Sequence, residues 1–237
     1  MAGSGTSVWR GLRARLTGPA LKGWVVEAND GIIATAGLLE GFAGAGAADT
    51  LLITAAMAAT IAGALSTAGA KWAETAAERD AQLATIAYEQ AKLASNPDDE
   101  LAELVEHYVG RGLTPDLAQQ VAEQLHEVDP LTAQLQTEYG IDEIAPAQAP
   151  ALTGLGAGMS FAVGSSIPLL ITFVAPISLD ALAVLIAVVV SLTITSIIAS
   201  RSAYLSVRRT IVRTLIVGLG TLGVSYLAGL ALLPPAG

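Results

Sequence analysis

The sequence is too apolar and too poor in charge for a soluble domain. Its 237 residues carry a formal net charge of −9, and 53% of them are hydrophobic. Only 14% are charged, whereas a soluble domain carries about 25% charged residues. The composition therefore predicts an integral membrane protein and excludes a soluble enzyme. The lack of cysteine excludes disulfides, iron–sulfur clusters and thiolate zinc sites, and the acidic total argues against a nucleic-acid partner.

Four stretches of the chain, residues 50–70, 144–179, 181–200 and 214–233, contain no charged residue, and each is long enough to cross a bilayer. Residues 1–22 are expected to form a flexible tail. The first membrane helix is predicted from about Trp24 to Ala48. The second begins near Thr50 and should continue to about Ser95, because nothing breaks it before the Asn-Pro pair that follows. Three further membrane helices are predicted, over Ala151–Val174, Leu179–Ala203 and Ile211–Leu233.

Between the second and third membrane helices, residues 72–147 reverse this composition. They carry sixteen acidic and three basic residues. Asn96-Pro97 and Thr114-Pro115 are predicted to open short helices, because proline suits the first helical turn. Asp129-Pro130 is predicted to end the second of these helices, and a further helix is expected over Leu131–Tyr139. We therefore expect a small, soluble, helical domain of three or four short helices over these residues.

The basic residues predict the orientation of the chain. With the N-terminus in the cytoplasm, all twelve Lys and Arg residues fall in the inside segments 1–23, 71–147 and 201–213, as the positive-inside rule requires. The predicted fold is thus an all-α membrane protein with five transmembrane helices and a cytoplasmic helical domain inserted between helices 2 and 3. The expected divisions of the chain are the N-terminal tail (1–22), transmembrane helices 1 and 2 (23–71), the cytoplasmic acidic domain (72–147) and transmembrane helices 3–5 (148–237).

The first membrane helix contains three carboxylates, Glu27, Asp30 and Glu40. A charged group at mid-membrane costs about 2.5–3.5 kcal/mol on insertion scales, so such residues normally face a cavity or a partner. Asp30 shares a helical face with Ala34, Gly37, Gly41 and Gly44, and this face is small enough for another helix to approach closely. Asp30 is therefore a candidate for lining an ion pathway, or else a protonated, hydrogen-bonded carboxyl. Glu27 is a second candidate or a solvated boundary residue, and no motif supports Glu40.

The acidic domain offers a second set of candidates. Glu100, Glu103 and Glu106 form one stripe on a helix, and Glu78 and Glu89 lie on the extension of the second membrane helix. Converging carboxylates suit hard or borderline cations such as Mg²⁺, Ca²⁺, Mn²⁺ or Fe²⁺. A solvated acidic face is the alternative. Glu123 and His126 form one Glu-x-x-His, the spacing of di-iron carboxylate bundles, but a second copy is missing.

Several motifs resemble the vacuolar iron transporter family over about residues 20–235. They are Ala28-Asn-Asp-Gly-Ile-Ile33, Gly63-Ala-Leu-Ser66, Asn96-Pro-Asp-Asp-Glu-Leu-Ala-Glu103, Gly110-Arg-Gly-Leu-Thr-Pro-Asp-Leu-Ala118, Tyr139-Gly-Ile-Asp142 and Ile167-Pro-Leu-Leu170. The resemblance implies a homodimer in the lipid bilayer that exports Fe²⁺, and sometimes Mn²⁺, from the cytosol in exchange for protons. It implies no permanently bound cofactor, because the divalent cation is the substrate.

The resemblance also implies roles for individual residues. Asp30 matches the pore aspartate between two copies of helix 1. The metal-binding positions of the cytoplasmic domain match Glu89, Glu100, Glu103 and Glu138, with Glu78 and Glu106 as lesser candidates. For a bacterial-type member the expected location is the inner membrane, and for a eukaryotic one the vacuolar membrane.

The sequence departs from the family pattern at several positions. Thr67 stands where eukaryotic members place a pore methionine, and Ala59 where they place a glutamate. Lys92 replaces a glutamate of the metal-binding domain, and Gln134-Leu135 replace a methionine pair. Lysine brings positive charge and no ligand, and losing thioethers weakens selection for Fe²⁺ over harder ions. Thr67 could still ligate through oxygen, and Glu40 could replace the missing glutamate.

Two alternatives to transport follow from these departures and from the histidine spacing. The first is a membrane-anchored metal-binding or storage module without transport activity. The second is a di-iron oxidase that uses Glu123 and His126, which the missing second Glu-x-x-His disfavours. The sequence favours a transporter rather than an enzyme.

Overall fold

The computed structural model describes residues 19–174, 180–202 and 205–232. These residues form eight helices and no strand. The predicted tail, residues 1–22, lies mostly outside the described residues. In chain order the helices are α1 Pro19–Gly44, α2 Asp49–Ser95, α3 Pro97–Gly110, α4 Pro115–Val128, α5 Pro130–Glu138, α6 Ala149–Val174, α7 Asp180–Ser202 and α8 Val207–Leu232.

Proline and glycine mark most of the helix boundaries. Helices α3 and α4 each begin at the proline predicted to open them, and α5 begins at Pro130, one residue before its predicted start. Gly112 follows α3 and Gly140 follows α5, both with positive φ (98° and 64°), a conformation that residues with a Cβ rarely adopt. Helix α1 begins at Pro19 and ends at Gly44, about four residues before both predicted limits, and Gly46 makes the next turn with φ 70°.

The described chain forms two compact units. The first, here called the bundle, contains the residues up to Trp72 and those from Ala151 onward. The second, here called the acidic unit, is Ala73–Pro150, close to the span over which the sequence is rich in carboxylates. Helix α2 belongs to both, because its first half lies in the bundle and its second half in the acidic unit.

Helix α1 packs against α7 and α8 in the bundle. Ile32 and Ala36 of α1 meet Val188 and Leu192 of α7 and Leu222 of α8 in a buried apolar cluster. A second cluster joins α1 to the start of α2. The helix that carries the three membrane carboxylates is thus held by apolar contacts on its inner side.

Glycines allow α6 to cross its neighbours at backbone contact. A Cβ on Gly164 would overlap the backbone of α1, and one on Gly31 would overlap the carbonyl oxygen of Phe161 in α6. Between α6 and α2, a Cβ on Gly158 would lie 2.7 Å from the carbonyl oxygen of Ala64. Small residues at crossings are how helices associate in membranes, where packing replaces the hydrophobic effect.

The outer surface of the bundle is apolar. Exposed side chains along α2 include Leu51, Met57, Ile61 and Leu65. Among the described residues, four helices are long and apolar enough to cross a membrane: α2, α6, α7 and α8. Helix α1 has the length, 26 residues, but carries four charged side chains. The membrane helices expected from the sequence are therefore supported at four of five positions.

The acidic unit is built on a small core. Leu104 of α3, Ala122 of α4 and Ala133 of α5 are buried together. The N-terminus of α5 is capped by Asp129, whose carboxylate accepts hydrogen bonds from the Thr132 backbone N–H (3.1 Å) and hydroxyl (2.6 Å). These bonds hold the pKa of Asp129 below its ordinary value.

Candidate functional site

The three residues of the Asn29-Asp30-Gly31 motif in α1 make different contacts. The Thr195 hydroxyl of α7 donates a hydrogen bond of 2.6 Å to the Asn29 side-chain oxygen. Gly31 lies against the α6 backbone, and the Ser165 hydroxyl donates to its carbonyl oxygen at 3.2 Å. The two neighbours of Asp30 are thus anchored to two different helices, which sets the rotation of α1 about its axis.

That rotation places Asp30 on the outside of the single chain. Asp30 is exposed, as are Val26 and Ala34, one turn before and one turn after it on the same face. A carboxylate on the outer face of a membrane helix is stable only beside water, a cation or a polar partner. The arrangement fits a residue whose partner is supplied from outside the chain.

The small face that contains Asp30 is only partly open. Gly37, Gly41 and Gly44 of that face lie against α8, where a Cβ on Gly41 would sit 3.3 Å from the carbonyl oxygen of Ser225. The helix that approaches these three glycines closely is therefore α8 of the same chain. Small side chains permit close approach, but they do not select which helix approaches.

The other candidates in the bundle differ in how far they are buried. Glu27 is buried, with 8% exposure, and its carboxylate is 4.0 Å from the Lys71 ammonium of α2. Burial removes the alternative of a solvated boundary residue. Glu40 and Thr67 are each partly buried, on α1 and α2 respectively.

In the acidic unit, four of the predicted metal-binding residues converge around Lys92. The Lys92 ammonium is 2.9 Å from the Glu100 carboxylate, 3.1 Å from that of Glu103 and 3.9 Å from that of Glu89. Glu138 shares a hydrogen bond with Glu103. Glu89 and Glu100 are completely buried, whereas Glu103 and Glu138 are exposed. We call these four glutamates and Lys92 the glutamate cluster.

Two further polar side chains donate hydrogen bonds to the glutamate cluster. The Tyr139 hydroxyl donates to Glu89 at 2.8 Å. The Gln134 side-chain amide donates to the Glu100 backbone carbonyl at 2.5 Å and to its carboxylate at 3.3 Å. Tyr139 belongs to one of the family motifs, and Gln134 is one of the positions that depart from the family pattern. The sequence did not predict that either residue hydrogen-bonds to a glutamate.

These contacts shift the protonation of the groups involved. The hydrogen bond to Glu100 raises the pKa of Lys92 well above its usual range, against the opposing effect of desolvation, so the ammonium stays charged. Desolvation raises the pKa of Glu138, and the hydrogen bond with Glu103 adds to the rise. The hydrogen bond to Glu89 raises the pKa of Tyr139.

The remaining candidates of the acidic unit lie elsewhere. Glu78 lines a separate groove with Arg79 and Glu143, and Glu106 is exposed on α3. Glu123 accepts a hydrogen bond from Gln119 at 2.7 Å. Nowhere in the described ranges do three or more His, Asp or Glu side chains form a group arranged to hold a metal ion together.

Sequence reasoning missed the central position of Lys92. It treated this residue only as a departure from the family pattern, although Lys92 lies three residues after Glu89 and so on the same face of α2. That spacing was the available signal. The contact with Glu100 and Glu103 depends on how α3 folds back after Asn96, which periodicity does not reveal.

Comparison with known proteins settles the family. A family model described as the VIT family matches residues 21–230. The chain belongs to the VIT family. The resemblance inferred from the motifs is thereby confirmed.

Two VIT-family relatives align over much of the chain. It is 34% identical over 151 residues to a vacuolar iron transporter of Acanthamoeba castellanii, an alignment that covers 64% of this chain and 54% of that protein. It is 26% identical over 166 residues to vacuolar iron transporter 1 of Tulipa gesneriana, covering 69% and 67% respectively. The chain therefore spans about half the length of the first relative and about two thirds of the second.

Proposed function

We propose that this VIT-family chain is a divalent metal transporter that moves Fe²⁺, and by the same chemistry Mn²⁺, out of the cytosol in exchange for protons. The single observation that carries the proposal is the outward placement of Asp30 by the anchored Asn29 and Gly31. Membership of the family and the names of the two relatives support iron as the cargo.

Asp30 is proposed to act in a pore formed with a second copy of the chain. Two Asp30 carboxylates facing one another would bind a dication through oxygen, which suits Fe²⁺ and Mn²⁺. Without the ion the two negative charges repel, and binding a proton to one of them relieves the repulsion. Metal and proton thus compete for the same oxygens, which couples their movement. Helix α1 would be the fifth membrane helix in this arrangement, with its N-terminus in the cytoplasm.

The acidic unit is proposed to collect the cation. Its glutamates raise the local concentration of cations by their negative potential. Glu103 and Glu138, which are exposed, are the first oxygens that an arriving ion meets, and Glu89 and Glu100 lie behind them. Glu27, Glu40 and Thr67 are proposed as further residues of the membrane pathway.

A flux assay with full-length protein in liposomes tests this function. Wild-type protein should move Fe²⁺ when a pH gradient drives protons across the membrane in the opposite direction. Asp30→Asn should reduce the flux to that of protein-free liposomes. Asp49→Asn is the matched control, because Asp49 is an exposed aspartate at the start of α2. Equal flux for Asp30→Asn and wild type would exclude the role of Asp30. Wild-type protein that binds Fe²⁺ without moving it would instead favour the metal-binding module.

A further inference from the structure

The glutamate cluster already contains a cation of its own. The Lys92 ammonium makes contacts of 2.9 and 3.1 Å with two carboxylates and lies 3.9 Å from a third. Of these three glutamates, Glu89 and Glu100 are 0% and 1% exposed. A buried carboxylate without a compensating positive charge is strongly unfavourable, so Lys92 supplies the charge that makes this burial possible.

Two buried oxygens lack a hydrogen-bond donor, one in the glutamate cluster and one in the Gln134 side chain that contacts it. They are Oε2 of Glu89 and the side-chain oxygen of Gln134. Both are acceptors, and each belongs to a side chain that is completely buried. Buried acceptors normally have a partner. The cluster therefore offers more oxygen than the single ammonium satisfies, and a metal ion is a partner that binds such oxygens.

We propose that Lys92 is the resident counter-ion of the glutamate cluster, so that the acidic unit folds without metal and a divalent cation binds there only by displacing the ammonium. Lys92 thereby sets the metal affinity of the cluster. The inference rests on the proposed function only in that the cluster is the capture site, and its test measures binding and folding rather than flux.

Displacement is physically feasible because of where Lys92 sits. Its side chain is 26% exposed, unlike those of Glu89 and Glu100. Lysine ends in a compact charge on a flexible four-carbon stem. The ammonium can therefore move into water while the two buried carboxylates stay in place, because Tyr139 donates to the Glu89 carboxylate and Gln134 to that of Glu100.

The test compares Lys92→Gln with wild type in full-length, detergent-solubilised protein, with Mn²⁺ as an air-stable probe. Mn²⁺ affinity is measured by equilibrium dialysis, and the folding of α3–α5 by hydrogen exchange of peptides from residues 97–138. Wild-type protection should be the same in EDTA and in Mn²⁺. Lys92→Gln should bind Mn²⁺ about tenfold more tightly or better, because one positive charge has left the site. Its α3–α5 protection should fall in EDTA and return with Mn²⁺.

Two control variants separate the position of the charge from its presence. Lys92→Arg keeps a cation in the cluster and should behave like wild type. Arg111→Gln removes one positive charge from an exposed position after α3 and should leave Mn²⁺ affinity unchanged. Tight Mn²⁺ binding by Lys92→Arg, or an equal gain from Arg111→Gln, would overturn the proposal.

The main comparison also has outcomes that contradict the proposal. Wild-type α3–α5 peptides that lose protection in EDTA would show that the fold needs metal despite Lys92. The α3–α5 peptides of Lys92→Gln could also lose protection without recovering it in Mn²⁺, or the variant could bind Mn²⁺ no better than wild type. Either result would show that a dication cannot replace the Lys92 ammonium.

Discussion

Gly31→Ala should loosen the attachment of α1 to α6 beside Asp30. The added Cβ would overlap the carbonyl oxygen of Phe161 and lie 2.9 Å from both the backbone nitrogen and the hydroxyl of Ser165. These atoms belong to a helix backbone and a buried side chain, so the helices must separate. Overpacking costs about 1–3 kcal/mol, and the lost Ser165 hydrogen bond about 0.6 kcal/mol. Alanine's better helix propensity returns up to about 1 kcal/mol.

The net expectation for Gly31→Ala is a loss of about 1–3 kcal/mol in the free energy of unfolding, measured by SDS titration of protein in mixed micelles. Iron flux in liposomes should also fall, since the displaced residue adjoins Asp30. Gly23→Ala is the matched control on the same helix, because a Cβ there meets no atom within 4 Å. It should be neutral or slightly stabilising. If both variants had the same stability and the same flux, the backbone contact at Gly31 would not position α1.

Two further predictions concern single hydrogen-bond donors and acceptors. Thr195→Val removes the hydroxyl that donates to Asn29; we expect reduced iron flux with a stability loss of only about 0.6 kcal/mol, and unchanged flux would contradict the anchoring role. Asp129 has a lowered pKa in the folded acidic unit, so its contribution to stability is present above its ordinary pKa of 3.8 and is lost as pH falls through the folded value. Asp129→Asn should remove that dependence, so that hydrogen exchange of α5 on acidification changes less in the variant than in wild type.

The helices could be predicted well wherever the sequence contains residues with a strong local preference. Proline after Asn96 and after Thr114 placed the starts of α3 and α4 correctly, and the break at Asp129-Pro130 placed that of α5 to within one residue. The long α2 was predicted because nothing interrupts it before residue 96. Helix α1 was placed about four residues too late, since hydropathy gives the extent of an apolar region but not the first residue of a helix.

The site was harder to predict because it depends on which elements meet. The sequence and the family resemblance gave Asp30 and the four glutamates as candidates, and the structure brings the four glutamates together. The glycines after Asp30 indicated a close helix contact, but only the folded chain shows that α8 fills it. Lys92 was seen as a lost ligand, whereas its contact with Glu100 and Glu103 makes it the centre of the cluster.

The two groups of carboxylates differ in how their charge is balanced, and this difference suits successive steps of the transport proposed above. Glu89 and Glu100 are buried and have an ammonium of their own, whereas Asp30 is exposed on the outside of the chain. A site on a transport pathway must bind its ion strongly enough to admit it and weakly enough to release it. Without Lys92, the four glutamates would bind a dication more tightly, because no positive charge would compete with it. A tethered ammonium that returns as the ion leaves lowers the free energy of the emptied cluster, and so favours release.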